Sequence, residues 1–244
     1  MFKQTTKIKF FIDLIKSQLP VKLIKRRMKI TVDTKIMGII YVLRTGISWK
    51  DLGIINGVDE GNYRKFFYKL NQLKIFDDII ESIKEDSEIT FIDSTVIVNK
   101  CGKKESVGFC PRNKKHKGNK VSLIVNDKGK PLGCKIDKSS CHDLKLIDET
   151  IENINTKIII GDKGYTSKSL KDRLNKKGIK LLIPYKKNSK QKNSNMEKKL
   201  LKRRHIVENS FCQLKKLKRL GYRFEIKIEN FINFVKLGLL WLMI

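Results

Sequence analysis

The chain has 244 residues, with 54 Lys and Arg against 25 Asp and Glu for a formal net charge of +29, an excess beyond what solubility requires that points to a polyanionic partner. Five cysteines, an odd number, fit reduced thiols better than a disulfide framework, and Cys101, Cys110, Cys134, Cys141 and His142 include no C-x-x-C pair to mark zinc. No secretory signal or P-loop is apparent, and the longest apolar stretch, Leu237–Ile244, is too short to span a bilayer, which sets aside membrane-spanning and ATP-driven classes.

Along the chain, Lys7–Leu19, Thr34–Arg44 and Asn62–Leu73 carry helix-like apolar spacing, with Gly46 and Gly53 as breaks and no two-residue period. Residues 1–86 therefore read as a small all-α unit, separate from 87–244. Ile89, Phe91, Asp93, Thr95 and Ile97 then alternate with Thr90, Ile92, Ser94, Val96 and Val98, nearly all apolar or β-branched, as in a strand buried on both faces. Asn119–Asn126 and Pro131–Asp137 are strand-like and are joined by Asp127-Lys128-Gly129, a hairpin signal. Asp143–Asn153 reads as a helix with Asp143 as its N-cap, Lys157–Gly161 as a strand, Ser167–Lys177 as a helix and Ile179–Pro184 as a strand. Met196–Leu220 contains no Gly or Pro and predicts one helix of about six turns, with Val207, Phe211, Leu214 and Leu217 as its buried stripe. Phe231, Phe234 and Val235 suggest a last helix packed on a core. Part of the positive charge is compositional, since Lys, Ile and Asn are abundant and Ala is absent, as an AT-rich genome would produce. Its densest runs are Lys22–Lys29, Lys100–Lys120, Lys186–Arg204 and Lys215–Arg223.

Three acids stand out by their settings. A carboxylate at Asp93, inside an apolar strand, costs on the order of several kcal/mol unless it is paired or coordinates a cation. Asp162 ends a short apolar run before Lys163-Gly164-Tyr165, the carboxyl end of a strand where α/β sheets place ligands, and Gly161 and Gly164 allow backbone to come close. Glu208 shares a helix face with Arg204 and Lys215. Taken singly, each has an ordinary reading: a capping or strand-edge Asp, a turn residue, and an exposed Arg–Glu pair one turn apart. Their order among the elements is more specific. The succession βββαβαβα is that of the ribonuclease H-like fold, in which the first and fourth strands are neighbours and the final helix packs across them.

With these elements in place, the chain resembles the DDE transposases of the IS5 type, within the IS4/IS5 group of insertion-sequence enzymes. The resemblance rests on Arg44-Thr45-Gly46 with Trp49 and Leu52, Tyr63-Arg64-Lys65-Phe66-Phe67, Ile92-Asp93-Ser94-Thr95, Gly129-x-Pro131-Leu132, His142-Asp143, Asp162-Lys163-Gly164-Tyr165, Arg203-Arg204-x-x-Val207-Glu208, Lys215, and Leu220-Gly221-Tyr222-Arg223-Phe224. Leu201 stands where the family often has a Tyr, and PRNKKHKGNK, from Pro111, replaces a Gly-Arg-Ser-rich stretch.

The resemblance implies an α/β ribonuclease H-like core, a mixed five-stranded sheet with flanking helices, preceded by an all-α, helix-turn-helix-like DNA-binding unit. It implies that Asp93, Asp162 and Glu208 are catalytic and hold Mg²⁺, for which Mn²⁺ can substitute, with Asp93 bridging two ions. Lys163, Arg204 and Lys215 become phosphate contacts, and Arg64 and Lys65 candidates for reading DNA. The implied activity is cleavage and strand transfer at terminal inverted repeats. The implied partners are double-stranded DNA, both element end and target, and a second copy of the chain, with no membrane. The expected location is intracellular, with the DNA: the cytoplasm or nucleoid of a prokaryote, or the nucleus or viral factory of another host. The length leaves no room for the large domain some relatives insert between the second and third acids. The alternatives are a domesticated, non-catalytic DNA-binding protein derived from a transposase, and a nuclease without joining activity.

Overall fold

The computed structural model describes residues 2–25, 30–110, 115–185 and 188–244. The basic runs Lys22–Lys29, Lys100–Lys120 and Lys186–Arg204, and the PRNKKHKGNK stretch, lie in part outside the described residues. The chain divides into two compact units, Met1–Ile83 with Leu214–Ile244, and Lys84–Gln213.

The first unit contains α1 (Phe2–Ser17), α2 (Val21–Lys25), α3 (Val32–Thr45), α4 (Trp49–Asn56), α5 (Gly61–Gln72) and α6 (Ile75–Ile83). Thr31 caps α3 by accepting the Thr34 N–H, and Ser48 caps α4 by accepting that of Asp51. Gly46 ends α3 in the left-handed region at φ 75°, as expected of a break. Gly53, also read as a break, instead lies inside α4. Glycine is needed there because a Cβ would stand 2.7 Å from the Val58 carbonyl oxygen, a packing constraint that sequence spacing does not reveal. The core gathers Phe11, Ile15, Ile36, Ile39, Phe67 and Phe76, all fully buried; each contributes about 1.5–3 kcal/mol through the water it escapes.

The second unit is built on a mixed sheet. Its strands are β1 (Ile89–Asn99), β2 (Gly108–Phe109), β3 (Lys117–Val125), β4 (Pro131–Lys138), β5 (Ile158–Ile160) and β6 (Lys180–Leu182). They lie in the order β2-β3-β1-β5-β6, with β4 also paired to β3. β1 runs antiparallel to β3 and parallel to β5, and β5 is parallel to β6. The β3–β4 turn is held by the Asn126 side chain, which accepts the N–H groups of Lys128 and Lys130 at 3.0 and 2.9 Å, with Gly129 at φ 80°. Helices α7 (Asp143–Thr150) and α8 (Lys168–Lys176) cover one face. Beneath them Ile92, Ile124, Ile147, Ile159, Leu170 and Leu174 form a buried cluster.

Two further helices follow, α9 (Asn195–Lys202) and α10 (His205–Lys216). They correct the single helix expected over Met196–Leu220. At Arg203 and Arg204 the ladder shifts to three-residue spacing, with Arg203, Arg204, Ile206 and Val207 donating to Leu200, Leu201, Arg203 and Arg204. No helix breaker causes this; the turn places both arginines against β1. α11 (Ile228–Met243) completes the first unit, and Phe234 stacks on Phe67 with ring centroids 4.4 Å apart. Among the described residues no helix is long and apolar enough to cross a membrane.

Candidate active site

Strand alternation separates the two faces of β1. Ile92 and Ser94 point to the side covered by α7 and α8, so Phe91 and Asp93 point to the other. The parallel register pairs Phe91 with Ile160, and carrying it two residues further sets Asp162 level with Asp93. β5 has by then ended, and Asp162 turns to cap the short 3₁₀ turn Lys163–Tyr165, its Oδ1 accepting the Gly164 N–H at 2.7 Å. A Cβ on Gly161 would stand 2.9 Å from the Tyr165 ring, so glycine lets the buried tyrosine tuck under the turn.

The turn before α10 brings the third acid. Arg203 places its guanidinium 5.6 Å from the centre of the Phe91 ring, a cation–π contact that anchors the turn on the sheet. Arg204 reaches between two carboxylates, 3.6 Å from Asp93 Oδ2 and 3.6 Å from Glu208 Oε1. Ser210, further along α10, donates to the Gly129 carbonyl at 2.8 Å and so ties the helix to the β3–β4 turn. Burial raises the Asp93 carboxyl above its ordinary pKa, and the negative charges of Asp162 and Glu208 add to the rise, against the Ser94 N–H and Arg204. Asp93 thus feels the charges of Asp162, Glu208 and Arg204, the last of which lies between it and Glu208. Arg204 Nε is buried, and among the described residues it meets no hydrogen-bond acceptor.

The donors suit a hard divalent cation in kind, being carboxylates whose mutual repulsion such an ion relieves. As the side chains lie, no three His, Cys, Asp or Glu among the described residues are grouped to hold a metal. The place between Asp93 and Glu208 is taken by the Arg204 guanidinium, so an ion there requires that side chain to move. Cys and His likewise form no zinc-like grouping among the described residues, and no cysteine among them is in a disulfide.

The remaining candidates are placed as follows. Lys163 is exposed directly beside Asp162. Lys215 is exposed on the last turn of α10, past Gln213 and therefore in the first unit. Arg64 and Lys65 are exposed on α5 of that unit, Arg64 standing 3.9 Å from Glu60. The N-cap expected of Asp143 belongs instead to His142, whose Nδ1 accepts the Leu144 N–H at 3.3 Å. Asp143 is drawn away by tertiary partners: it accepts from Ser94 Oγ at 2.6 Å and stands 2.9 Å from the buried Lys120 ammonium. This Ser94–Asp143–Lys120 group, behind the strand that carries Asp93, is not legible in the sequence. Its one signal there is Lys120, set inside the β3 strand just before Val121–Val125.

A mixed sheet of this order, with Asp93 within one parallel strand, Asp162 just past the end of its neighbour and Glu208 on the later helix α10, is of the ribonuclease H-like class. The family model for the transposase DDE domain matches residues 83–224, and the chain belongs to that family: it is a DDE transposase. Among solved structures it is similar to the piggyBac transposase synaptic complex with hairpin DNA, at 11% identity over 96% of this chain and 72% of that one, with a TM-score of 0.54. That likeness shows the fold. The Mos1 strand transfer complex aligns at 12% identity over 82% of this chain and 81% of that one with a TM-score of 0.29, too low to carry an argument. No curated protein matches the sequence.

Proposed function

We propose that the chain is an IS5-type transposase of the IS4/IS5 group that cleaves DNA at the terminal inverted repeats of its own element and joins the ends to target DNA. The observation that supports this most is Arg204 between Asp93 and Glu208, with the charge of Asp162 also felt at Asp93 and the buried Arg204 Nε meeting no acceptor among the described residues. Asp93, Asp162 and Glu208 would hold Mg²⁺, or Mn²⁺ in its place, and the ion would supply Lewis-acid stabilisation of the attacking and leaving oxygens at phosphorus. Arg204 keeps the two carboxylates compatible before substrate arrives. On DNA binding it turns to a phosphate oxygen, which supplies the missing acceptor and frees Asp93 and Glu208. Lys163 and Lys215 add phosphate contacts. The helices within 1–86, through Arg64 and Lys65, read the element ends, and residues 87–244 supply the chemistry. Two copies act, one for each end.

The test is to incubate the purified protein with DNA spanning the flanks of its own gene, with Mg²⁺ or EDTA, and to map nicks at nucleotide resolution. Nicks at the tips of a short inverted repeat are expected, lost with EDTA and in Asp93→Asn, Asp162→Asn or Glu208→Gln, while all three variants keep DNA affinity within about threefold, a difference below about 1 kcal/mol. Loss of binding in parallel would make the acids structural. Tight binding of the flanks by the unaltered protein without any cut would leave a non-catalytic DNA-binding protein.

A further inference from the structure

His142-Asp143 is a sequence motif that the acidic site does not absorb, and Asp143 opens α7 on the covered face of the sheet. Asp143 Oδ1 accepts from Ser94 Oγ at 2.6 Å and stands 2.9 Å from Lys120 Nζ, which also donates to the Cys141 carbonyl. The Lys120 side chain is 7% exposed and that of Asp143 28%. Directly across from Ser94 on β3 lies Ser122, fully buried, whose hydroxyl is hydrogen-bonded at 2.9 Å to that of Thr150, the last residue of α7. α7 is thereby tied to the sheet at both ends, to β1 by its first residue and to β3 by its last. It also packs on the turn Lys163–Tyr165 that follows Asp162. There the Tyr165 N–H donates to the Asp162 carbonyl at 3.2 Å, and burial together with the Asp143 charge pushes the Tyr165 phenol up.

A buried Lys–Asp pair contributes little to stability, because taking both charges out of water offsets their attraction. What this pair touches is the residue that follows Asp93. β5 pairs with β1 only as far as Phe91, so past that point β1 has no support from this neighbour. The Ser94 N–H is turned onto Asp93 Oδ1 at 2.8 Å, while Asp93 Oδ2 faces Arg204. The direction of that N–H is set by Ser94, whose side chain is held on the opposite face by Asp143. We infer that Asp143 is a positioning residue: through Ser94 it holds the peptide that aims the Asp93 carboxylate, with Lys120 keeping Asp143 in place, an assignment that rests on the proposed cleavage with Asp93 as a metal ligand. Losing an outer partner of this kind costs about 10–100-fold in metal affinity or activity, since a small misplacement of a reacting group is expensive.

Ser94→Ala removes the clamp and keeps the N–H, whereas Ser94→Thr keeps the hydroxyl as well. On DNA spanning the flanks of its own gene, with Mg²⁺, full-length Ser94→Ala should nick about tenfold more slowly or worse, with DNA affinity in EDTA held within about threefold and Tm little changed. Ser94→Thr should recover most of the rate. Without DNA, the Mn²⁺ concentration that gives half of the metal-induced rise in Tm should be about tenfold higher in Ser94→Ala and fall back in Ser94→Thr. Asp143→Asn should be slow in the same way and add nothing when combined with Ser94→Ala, as for two residues acting in series. If Asp143→Asn does not fold, the two Ser94 variants decide. An unchanged rate and half-point in Ser94→Ala overturns the inference, as does a rate that falls only in step with Tm or DNA affinity, or losses that multiply in the double variant. Should the unaltered protein bind DNA and not nick it, the cleavage reading fails and the Mn²⁺ half-points decide alone. A higher half-point in Ser94→Ala that Ser94→Thr reverses then upholds the aiming of Asp93; equal half-points, or no Mn²⁺ response in the unaltered protein, end it.

Discussion

Tyr63 illustrates how little a single side chain discloses without its neighbours. It is fully buried, its hydroxyl has no partner among the described residues, and a Cβ added to Gly38 would stand 2.4 Å from its ring. Removing the hydroxyl removes an unmet donor, so Tyr63→Phe should leave stability unchanged or raise it by about 1 kcal/mol, whereas Gly38→Ala forces the ring aside and should cost about 1–3 kcal/mol. Urea melts of both variants check this, and a clear loss in Tyr63→Phe would mean that the hydroxyl is satisfied. Arg204 makes the corresponding case at the site. With its guanidinium between Asp93 and Glu208, the chain itself supplies a cation there. Arg204→Gln should therefore lower Tm in EDTA and recover more of it on adding Mg²⁺ than the unaltered protein gains. Equal Mg²⁺ shifts in both would show that the arginine and the ion do not compete. Sequence singles out Asp93 and Arg204 by pattern and motif; that they touch depends on the turn before α10, which no local pattern encodes.

The element that most affects the site is α10. Its apolar stripe is legible in the sequence, and Val207, Phe211 and Leu214 are buried as the spacing requires. Its start is not, because the break at Arg203 and Arg204 contains no Gly or Pro and is made by contacts with Phe91 and Asp93. The strands are easier, since β1, β3 and β4 are long enough to display their pattern, whereas β2 has two residues and displays none. What fixes α10 against the sheet is Ser210, nearly buried and donating to the Gly129 carbonyl. Ser210→Ala should destabilise the protein by about 1 kcal/mol. If Glu208 serves the chemistry, the loosened helix should slow cleavage more than it weakens DNA binding, since small misplacements of a reacting group are expensive. Nicking rates measured beside binding isotherms give the answer, and a parallel fall in both would place Ser210 in the DNA contact instead.

At the scale of the whole molecule, the property with the longest reach is the net charge of +29. Composition makes the charge plain, but its distribution over the folded chain is not readable from residue counts. Buried Lys120 and Arg219 are committed to Asp143 and Glu225, while Lys163, Lys215, Arg64 and Lys65 are exposed. Charges that bind phosphates release counterions, and each neutralised phosphate steepens the fall of log affinity with log salt by about 0.9. A generic basic surface and a set of positioned contacts both give a steep slope, so the slope alone does not separate them. Replacement does: Arg64→Ala with Lys65→Ala should flatten the slope by about 2 and weaken binding to repeat and random DNA alike if these residues meet only phosphates. If they read bases, the same pair of changes should remove the advantage of the repeat over random DNA and leave binding to random DNA nearly as it was. A slope and a preference that both survive would take α5 out of the DNA interface and leave the recognition of element ends to the other helices of the first unit.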